Sequence, residues 1–143
     1  MVREIGEKAE IVTADDPVTV VGAGPAGLVC AIVLARAGRP VIVREWHDTV
    51  GRRFHGDFQG LENWSDERDI LDELRTAGIA VTFDCHPIHE STVFDAWGDA
   101  YPVRGERPLY YLVRRGSADG SLDRGLLDQA IAAGAEVRFA DRV

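Results

Sequence analysis

The chain has 143 residues, 45% hydrophobic and 28% charged, with a formal net charge of −8. That length can bury one core, and the composition is that of a globular domain rather than a disordered or collagenous one. The acidic balance excludes nucleic acid as a main partner, because binding phosphate backbones needs a basic face. The 2 cysteines make no disulfide framework, which fits a reducing, cytoplasmic setting.

Residues 1–16 read as a polar N-terminal arm. Its acids (Glu4, Glu7, Glu10, Asp15 and Asp16) do not form a signal peptide. The stretch from Pro17 to Ala35 carries no charge. Three glycines, a proline and a strand-like first third nevertheless argue against a membrane span.

A β-branched run (Val18 to Val21) meets three glycines spaced G-x-G-x-x-G, at Gly22, Gly24 and Gly27. An apolar, small-residue helix follows and stops at Gly38. A second β-rich run (Val41, Ile42, Val43) then ends on Glu45. This is the order of a dinucleotide-binding βαβ unit. Gly22 allows a tight turn, Gly24 lets backbone approach a pyrophosphate, and Gly27 lets the helix lie close on the sheet. Ala31 and Ala35 continue that small stripe at i+4 spacing. Pro25 suits the first helical turn, where its missing N–H has no partner to lose. Free N–H groups and the positive end of the helix dipole would face phosphates, and Glu45 would accept ribose hydroxyls. Cys30, within the apolar helix, reads as a buried, inert thiol.

Residues 47–64 read as a loop rich in Gly, Arg and aromatics. Ser65 then offers an N-cap, with Asp66 and Glu67 in the first turn of a helix whose apolar face is Ile70, Leu71, Leu74 and Ala77. Gly78 ends it, and residues 79–83 (IAVTF) read as a strand. A β-rich block follows, with a hairpin turning at Gly98-Asp99 and a strand over residues 108–115. Ser121 caps a last helix with the face Leu122, Leu126, Leu127, Ala130 and Ile131. Gly134 ends that helix, and residues 135–140 (AEVRFA) read as the final strand. A helix, an Ala-Gly pair and a strand thus recur three times, which is what αβ layering produces.

Other candidates are weaker. Cys85, His86 and His89 do not complete a four-ligand zinc set, and Pro87 breaks any helix that would align the histidines, so no metal is expected. His55, in a glycine-rich loop after the ribose acid, is a candidate for contact with cofactor or substrate. Asp57 and Glu62 are candidate acids or bases. Trp64, Trp97, Tyr101, Tyr110 and Tyr111 read as core or hairpin packing.

GAGPAG, with seventeen residues between Gly27 and Glu45, resembles the FAD-binding motif of two-dinucleotide-type flavoproteins. Within that class the chain is similar to the geranylgeranyl reductase-like flavoproteins, relatives of the aromatic hydroxylases. Val50-Gly51-Arg52-Arg53 is similar to the Gly-Gly-Arg element of such proteins, with Arg52 at the second glycine. Residues 109–139 resemble their passage back to the FAD sheet through a strand, an Arg, a Leu-Asp-x-x-Leu helix and a strand.

The resemblance implies an α/β, three-layer Rossmann-like core with an inserted β-rich segment. Residues 17–83 would be the FAD-binding unit, 84–115 part of a substrate domain, and 116–143 the return to the FAD-binding domain. By position, Gly22, Ala23, Gly24, Pro25, Ala26 and Gly27 would bind the cofactor, with Glu45 at the ribose. Arg53, and Arg114 or Arg115, would lie near it. The family continues well past this length, so the chain reads as the N-terminal part of a flavoprotein oxidoreductase.

Its implied cofactor is FAD, with NAD(P)H as candidate electron donor, and its chemistry is two-electron transfer to a small-molecule or lipid substrate. Reduction of a polyprenyl-type C=C bond and flavin-dependent hydroxylation both remain open. So do an NAD-binding dehydrogenase fragment and a non-catalytic module that needs a complementing C-terminal chain. A lipid substrate would bring a peripheral membrane contact.

Overall fold

The computed structural model describes Thr13 and residues 15–143. The polar arm expected over residues 1–16 therefore lies almost wholly outside the described residues. In chain order the elements are β1 (Val18–Val21), α1 (Pro25–Arg36), β2 (Val41–Arg44), β3 (Phe58–Glu62), α2 (Ile70–Thr76), β4 (Cys85–Ile88), β5 (Glu90–Phe94), β6 (Ala100–Arg104), β7 (Tyr110–Arg114), α3 (Leu122–Ala132) and β8 (Glu136–Arg138).

The described strands form three sheets. β1, β2 and β8 form a parallel sheet with β2 in the middle. β3, β7 and β4 form an antiparallel sheet centred on β7, and β5 and β6 form a separate hairpin. α1 is the crossover between β1 and β2, and it packs against both strands and α3. The chain is thus a mixed α/β fold with a parallel βαβ core.

Helices α1, α2 and α3 end in the same way. Gly38, Gly78 and Gly134 adopt positive φ. The residue after each glycine donates its N–H back to the last turn: Arg39 to Leu34 O, Ile79 to Leu74 O and Ala135 to Ala130 O, at 3.0, 2.8 and 3.0 Å. This is a Schellman closure, which needs a left-handed residue, and it accounts for the recurring Ala-Gly pairs. The core gathers Leu28 and Ile32 of α1, Val41 and Val43 of β2, Leu126, Leu127 and Ala130 of α3, and Val113 of β7. Burying aliphatic side chains of this size contributes about 1.5–3 kcal/mol each.

Several expectations need correction. Residues 79–83 are not a strand. Ile79 and Phe83 are buried in the core, but the backbone at Ala80 is taken by a side chain. The Gln129 amide accepts from Ala80 N at 2.8 Å and donates to Ala80 O at 2.9 Å. Backbone groups need partners, and here a side chain replaces the ladder. The stretch read as a loop over 47–64 contains β3, which pairs with β7. Pro87 lies within β4, where it is tolerated because β4 is an edge strand.

Ser65 is not the cap of α2. Asp69 is, its carboxylate accepting from Leu71 N at 2.9 Å. The Arg107 guanidinium holds the carbonyls of Asn63, Asp66 and Glu67, which keeps residues 64–68 out of the helix. Cys30 is exposed rather than buried, because it lies off the Leu28–Ala31–Ile32 face of α1. Ala77 and Ile131 are also exposed, Ile131 being off the buried face of α3. Trp64, Trp97 and Tyr101 are exposed, so the core alternative fails for them, while Tyr101 does sit in the β5–β6 hairpin and donates to Asp95 Oδ2 at 3.1 Å.

Candidate functional site

The glycine turn between β1 and α1 sets the geometry. Gly22 has φ +94°, and its N–H continues the β1–β2 ladder by donating to Arg44 O at 2.8 Å. A Cβ on Gly27 would stand 2.1 Å from Gly22 O, so only glycine lets α1 come this close to the turn. Gly24 is the N-cap of α1, with extended backbone, no side-chain cap and Pro25 next in line. A Cβ on Gly24 would meet nothing within 4 Å, so the space beside it is open. The first-turn N–H groups of α1 therefore face an open surface at the positive end of the helix dipole.

Glu45, just past β2, closes this corner. Its carboxylate accepts from Ala23 N at 2.8 Å and from His47 N at 2.9 Å. One side chain thus ties the glycine turn to the end of the second strand. Beside it is a cleft of about 330 Å³ lined by Ala23, Gly24, Pro25 and Glu45 on one side. The other side carries Thr49, Gly51, Arg52, Arg53, Phe54, Gln59 and Arg115, with Asp123 behind. The volume is at the lower end of the usual range for ligand sites.

The second wall is cationic and braced. Gly51 has φ +60°, and a Cβ on it would lie 2.7 Å from the Gly116 backbone, so the glycine, not Arg52, makes the close approach there. Arg52 points to Asp48 at 3.5 Å. The Arg53 and Arg115 guanidinium groups lie 5.4 and 4.2 Å from the Phe54 ring centroid. Such cation–π contacts help to hold both groups in place. Arg115 also donates from Nε and Nη2 to the two Asp123 oxygens, both at 2.8 Å.

The structure brings Ala23, Gly24, Pro25, Glu45 and Arg53 together around one cleft, with Gly22 and Gly27 shaping the turn behind them and Ala26 in the first turn of α1. Arg114 lies elsewhere: it is held by Asp84 Oδ2 at 2.7 Å and Asp119 O at 2.8 Å. Its neighbour Arg115 lines the cleft. His55 is exposed and does not line it, and its N–H donates to Asp57 at 3.3 Å. Glu62 accepts from Ser65 N at 3.0 Å. Phe54, Gln59 and Asp123 were not singled out from the sequence. The Leu-Asp-x-x-Leu pattern held the one usable signal, for Asp123.

Away from the cleft, Asp69 collects hydrogen bonds from Tyr111 Oη at 2.7 Å and Asn63 Nδ2 at 3.2 Å besides its capping bond. Burial opposes ionisation of Asp69, but these bonds outweigh it and hold the carboxyl below its ordinary range. Burial, with that bond to Asp69, pushes the Tyr111 phenol up to about 12. Burial also raises the Cys85 thiol, assisted by the Asp69 charge.

Residues 20–60 match the family model of the NAD(P)-binding Rossmann-like domain. The Escherichia coli protein UacF, whose name places it among the oxidoreductases, is 35% identical over 78 residues, 54% of this chain and 12% of that protein. Among solved structures, a geranylgeranyl bacteriochlorophyll reductase-like protein from Thermoplasma acidophilum superposes with a TM-score of 0.62 at 19% identity, covering 87% of this chain and 30% of its own. A 2-methyl-3-hydroxypyridine-5-carboxylic acid oxygenase gives a TM-score of 0.66 at 20% identity, covering 88% and 32%. A flavin-dependent brominase gives 0.56 at 23%, covering 88% and 29%. The chain thus spans about a third or less of the length of each of these proteins. Among the described residues no helix is long and apolar enough to cross a membrane. The chain is therefore similar over residues 20–60 to the NAD(P)-binding Rossmann-like domain, and it shares the fold of part of geranylgeranyl reductase-like and oxygenase flavoproteins.

Proposed function

We propose that the cleft binds the ADP half of FAD and that the chain is the N-terminal, cofactor-binding part of a flavin-dependent oxidoreductase. The observation that carries this reading is the corner made by Gly24, the first turn of α1 and Glu45. It offers open space, free N–H donors and a fixed carboxylate at one end of a cationic cleft. The residues suit the group. Gly22, Ala23, Gly24, Pro25, Ala26 and Gly27 would form the pyrophosphate turn, Glu45 would accept the adenosine ribose, and Arg53 would supply positive charge. Bound flavin supplies two-electron transfer, and the protein supplies binding and orientation.

Residues 17–83 and 116–143 would serve the cofactor, and 84–115 a substrate domain. The similar structures include one named as reductase-like and one named as an oxygenase, which favours either reduction, of a polyprenyl-type C=C bond, or flavin-dependent hydroxylation, and NAD(P)H is the candidate electron donor. A small-molecule or lipid substrate, a cytoplasmic location and a complementing C-terminal chain belong to the same reading.

A second reading is an NAD-binding dehydrogenase fragment, favoured by the family model over residues 20–60. Glu45 disfavours NADP within it, since a 2′-phosphate would meet the carboxylate. Titration of the purified chain with FAD, followed by flavin fluorescence with NAD as competitor, separates the two. Saturable FAD binding that NAD does not displace is the expected result. NAD binding without FAD binding supports the second reading.

A further inference from the structure

The cleft holds a charged group that the proposed cofactor contacts do not use. Asp123, in the first turn of α3, is 0% exposed. A carboxylate buried that fully is costly unless it is paired and hydrogen-bonded. Both oxygens receive the Arg115 guanidinium at 2.8 Å, and Oδ2 also accepts from Gly116 N at 2.9 Å. The Arg115 side chain is only 12% exposed. Its planar face covers Phe54, and Nη1 donates to Gln59 Oε1. A guanidinium held bidentately on one edge and stacked on a ring has lost its rotamer freedom before any ligand arrives.

The location gives the pair a further consequence. Arg115 directly follows β7 of the antiparallel sheet, whereas Asp123 is on α3, which packs against α1 of the dinucleotide unit. Gly51 meets Gly116 between them at a distance that admits no side chain. The pair therefore fixes the second wall of the cleft relative to the α1 turn.

We propose that Asp123 is a positioning residue for the dinucleotide cleft, acting through Arg115. It neutralises the arginine and locks it as a rigid wall against which the cofactor is held. The role rests on the dinucleotide reading of the cleft, but the locking of Arg115 by Asp123 is readable without any cofactor.

Asp123→Asn tests it, because an amide keeps the shape but offers one acceptor where the carboxylate serves three N–H groups. Two measurements are needed on the full chain. The first is the Arg115 Nε–H signal in proton–nitrogen spectra, expected to be distinct in the parent and averaged in Asp123→Asn while the backbone amides stay dispersed. The second is FAD affinity. It is expected to fall about tenfold, the equivalent of one charge-assisted hydrogen bond, with no further loss in the Arg115→Met/Asp123→Asn double variant. That double variant leaves no buried unpaired carboxylate, which favours its folding.

Asp69→Ala, which weakens the cap of α2 away from the cleft, controls for lost stability and keeps the parent affinity. An Arg115 signal indifferent to Asp123→Asn overturns the proposal. So does parent-like affinity of Asp123→Asn, or a further loss in the double variant. A parent chain that binds no FAD but whose Arg115 signal depends on Asp123 supports the locking pair and removes FAD binding by this chain alone instead.

Discussion

The Glu45 carboxylate reaches back 22 residues to take the N–H of Ala23 at 2.8 Å. This one bond makes the acid after β2 part of the glycine turn before α1. Glu45 therefore has two roles, fixing the turn and presenting a carboxylate to the ribose in the proposed complex. Glu45→Ala should cost about 1.5–3 kcal/mol of stability, the usual contribution of hydrogen bonds to a charged group. It should also weaken FAD binding by more than Glu45→Gln, whose amide oxygen can still accept from Ala23. Urea unfolding and flavin fluorescence titration measure the two effects.

Gly27 and Gly24 should respond oppositely to the same substitution. In Gly27→Ala the new methyl strikes Gly22 O, so a loss of about 3 kcal/mol or more is expected from overpacking. In Gly24→Ala the methyl enters open space, and the stability loss should stay near 1 kcal/mol or below. FAD affinity should nonetheless fall about tenfold or more in Gly24→Ala, because the methyl takes the closest approach of a phosphate. Equal stability losses in the two variants would contradict this geometry.

The Tyr111–Asp69 bond gives a pH dependence of known sign. Tyr111 has a folded value of about 12 against an ordinary 10.0. Its contribution is complete below the ordinary value and is lost as pH rises through the folded one. Asp69 is shifted downward from 3.8, so its contribution is complete above 3.8 and is lost as pH falls through its lower folded value. Tyr111→Phe should therefore cost about 1–2 kcal/mol at neutral pH and progressively less in acid. Urea denaturation from neutral pH into acid checks the Asp69 limb, and a loss that grows on acidification would sink the assignment.

The two cysteines should differ in reactivity. Cys30 is exposed, while Cys85 is half-buried with its thiol shifted upward by burial and the Asp69 charge. Because the thiolate is the reactive form, a thiol reagent on the native chain should modify Cys30 first. Mass spectrometry of the time course reads the order directly.

Gln129 substitutes for a strand partner at Ala80. Gln129→Ala should release residues 79–83 and cost about 1 kcal/mol. Hydrogen exchange should rise at Ala80 while the amides of β1, β2 and β8 keep their protection.

The βαβ core was legible in the sequence because its signals are local. β-branched runs, a glycine that alone permits φ +94° at residue 22, and a proline at the first helical position act within a few residues. The same holds for Gly38, Gly78 and Gly134, each demanded by a left-handed closure. Glu45 was legible through its distance from Gly27, since strand and helix lengths fix where the acid arrives.

What the tertiary structure alone decided depends on partners far along the chain. Whether residues 79–83 become a strand turned on Gln129, and whether Ser65 or Asp69 caps α2 turned on Arg107. The choice between Arg114 and Arg115 at the cleft was invisible because Arg114 ends β7 and Arg115 follows it, and adjacent side chains of extended backbone point to opposite faces. The pairing of β7 with β3 and β4 settles which face meets the cleft. Asp123 joins the cleft lining for the same reason: its pattern marked a helix, but only the packed fold buries it against Arg115.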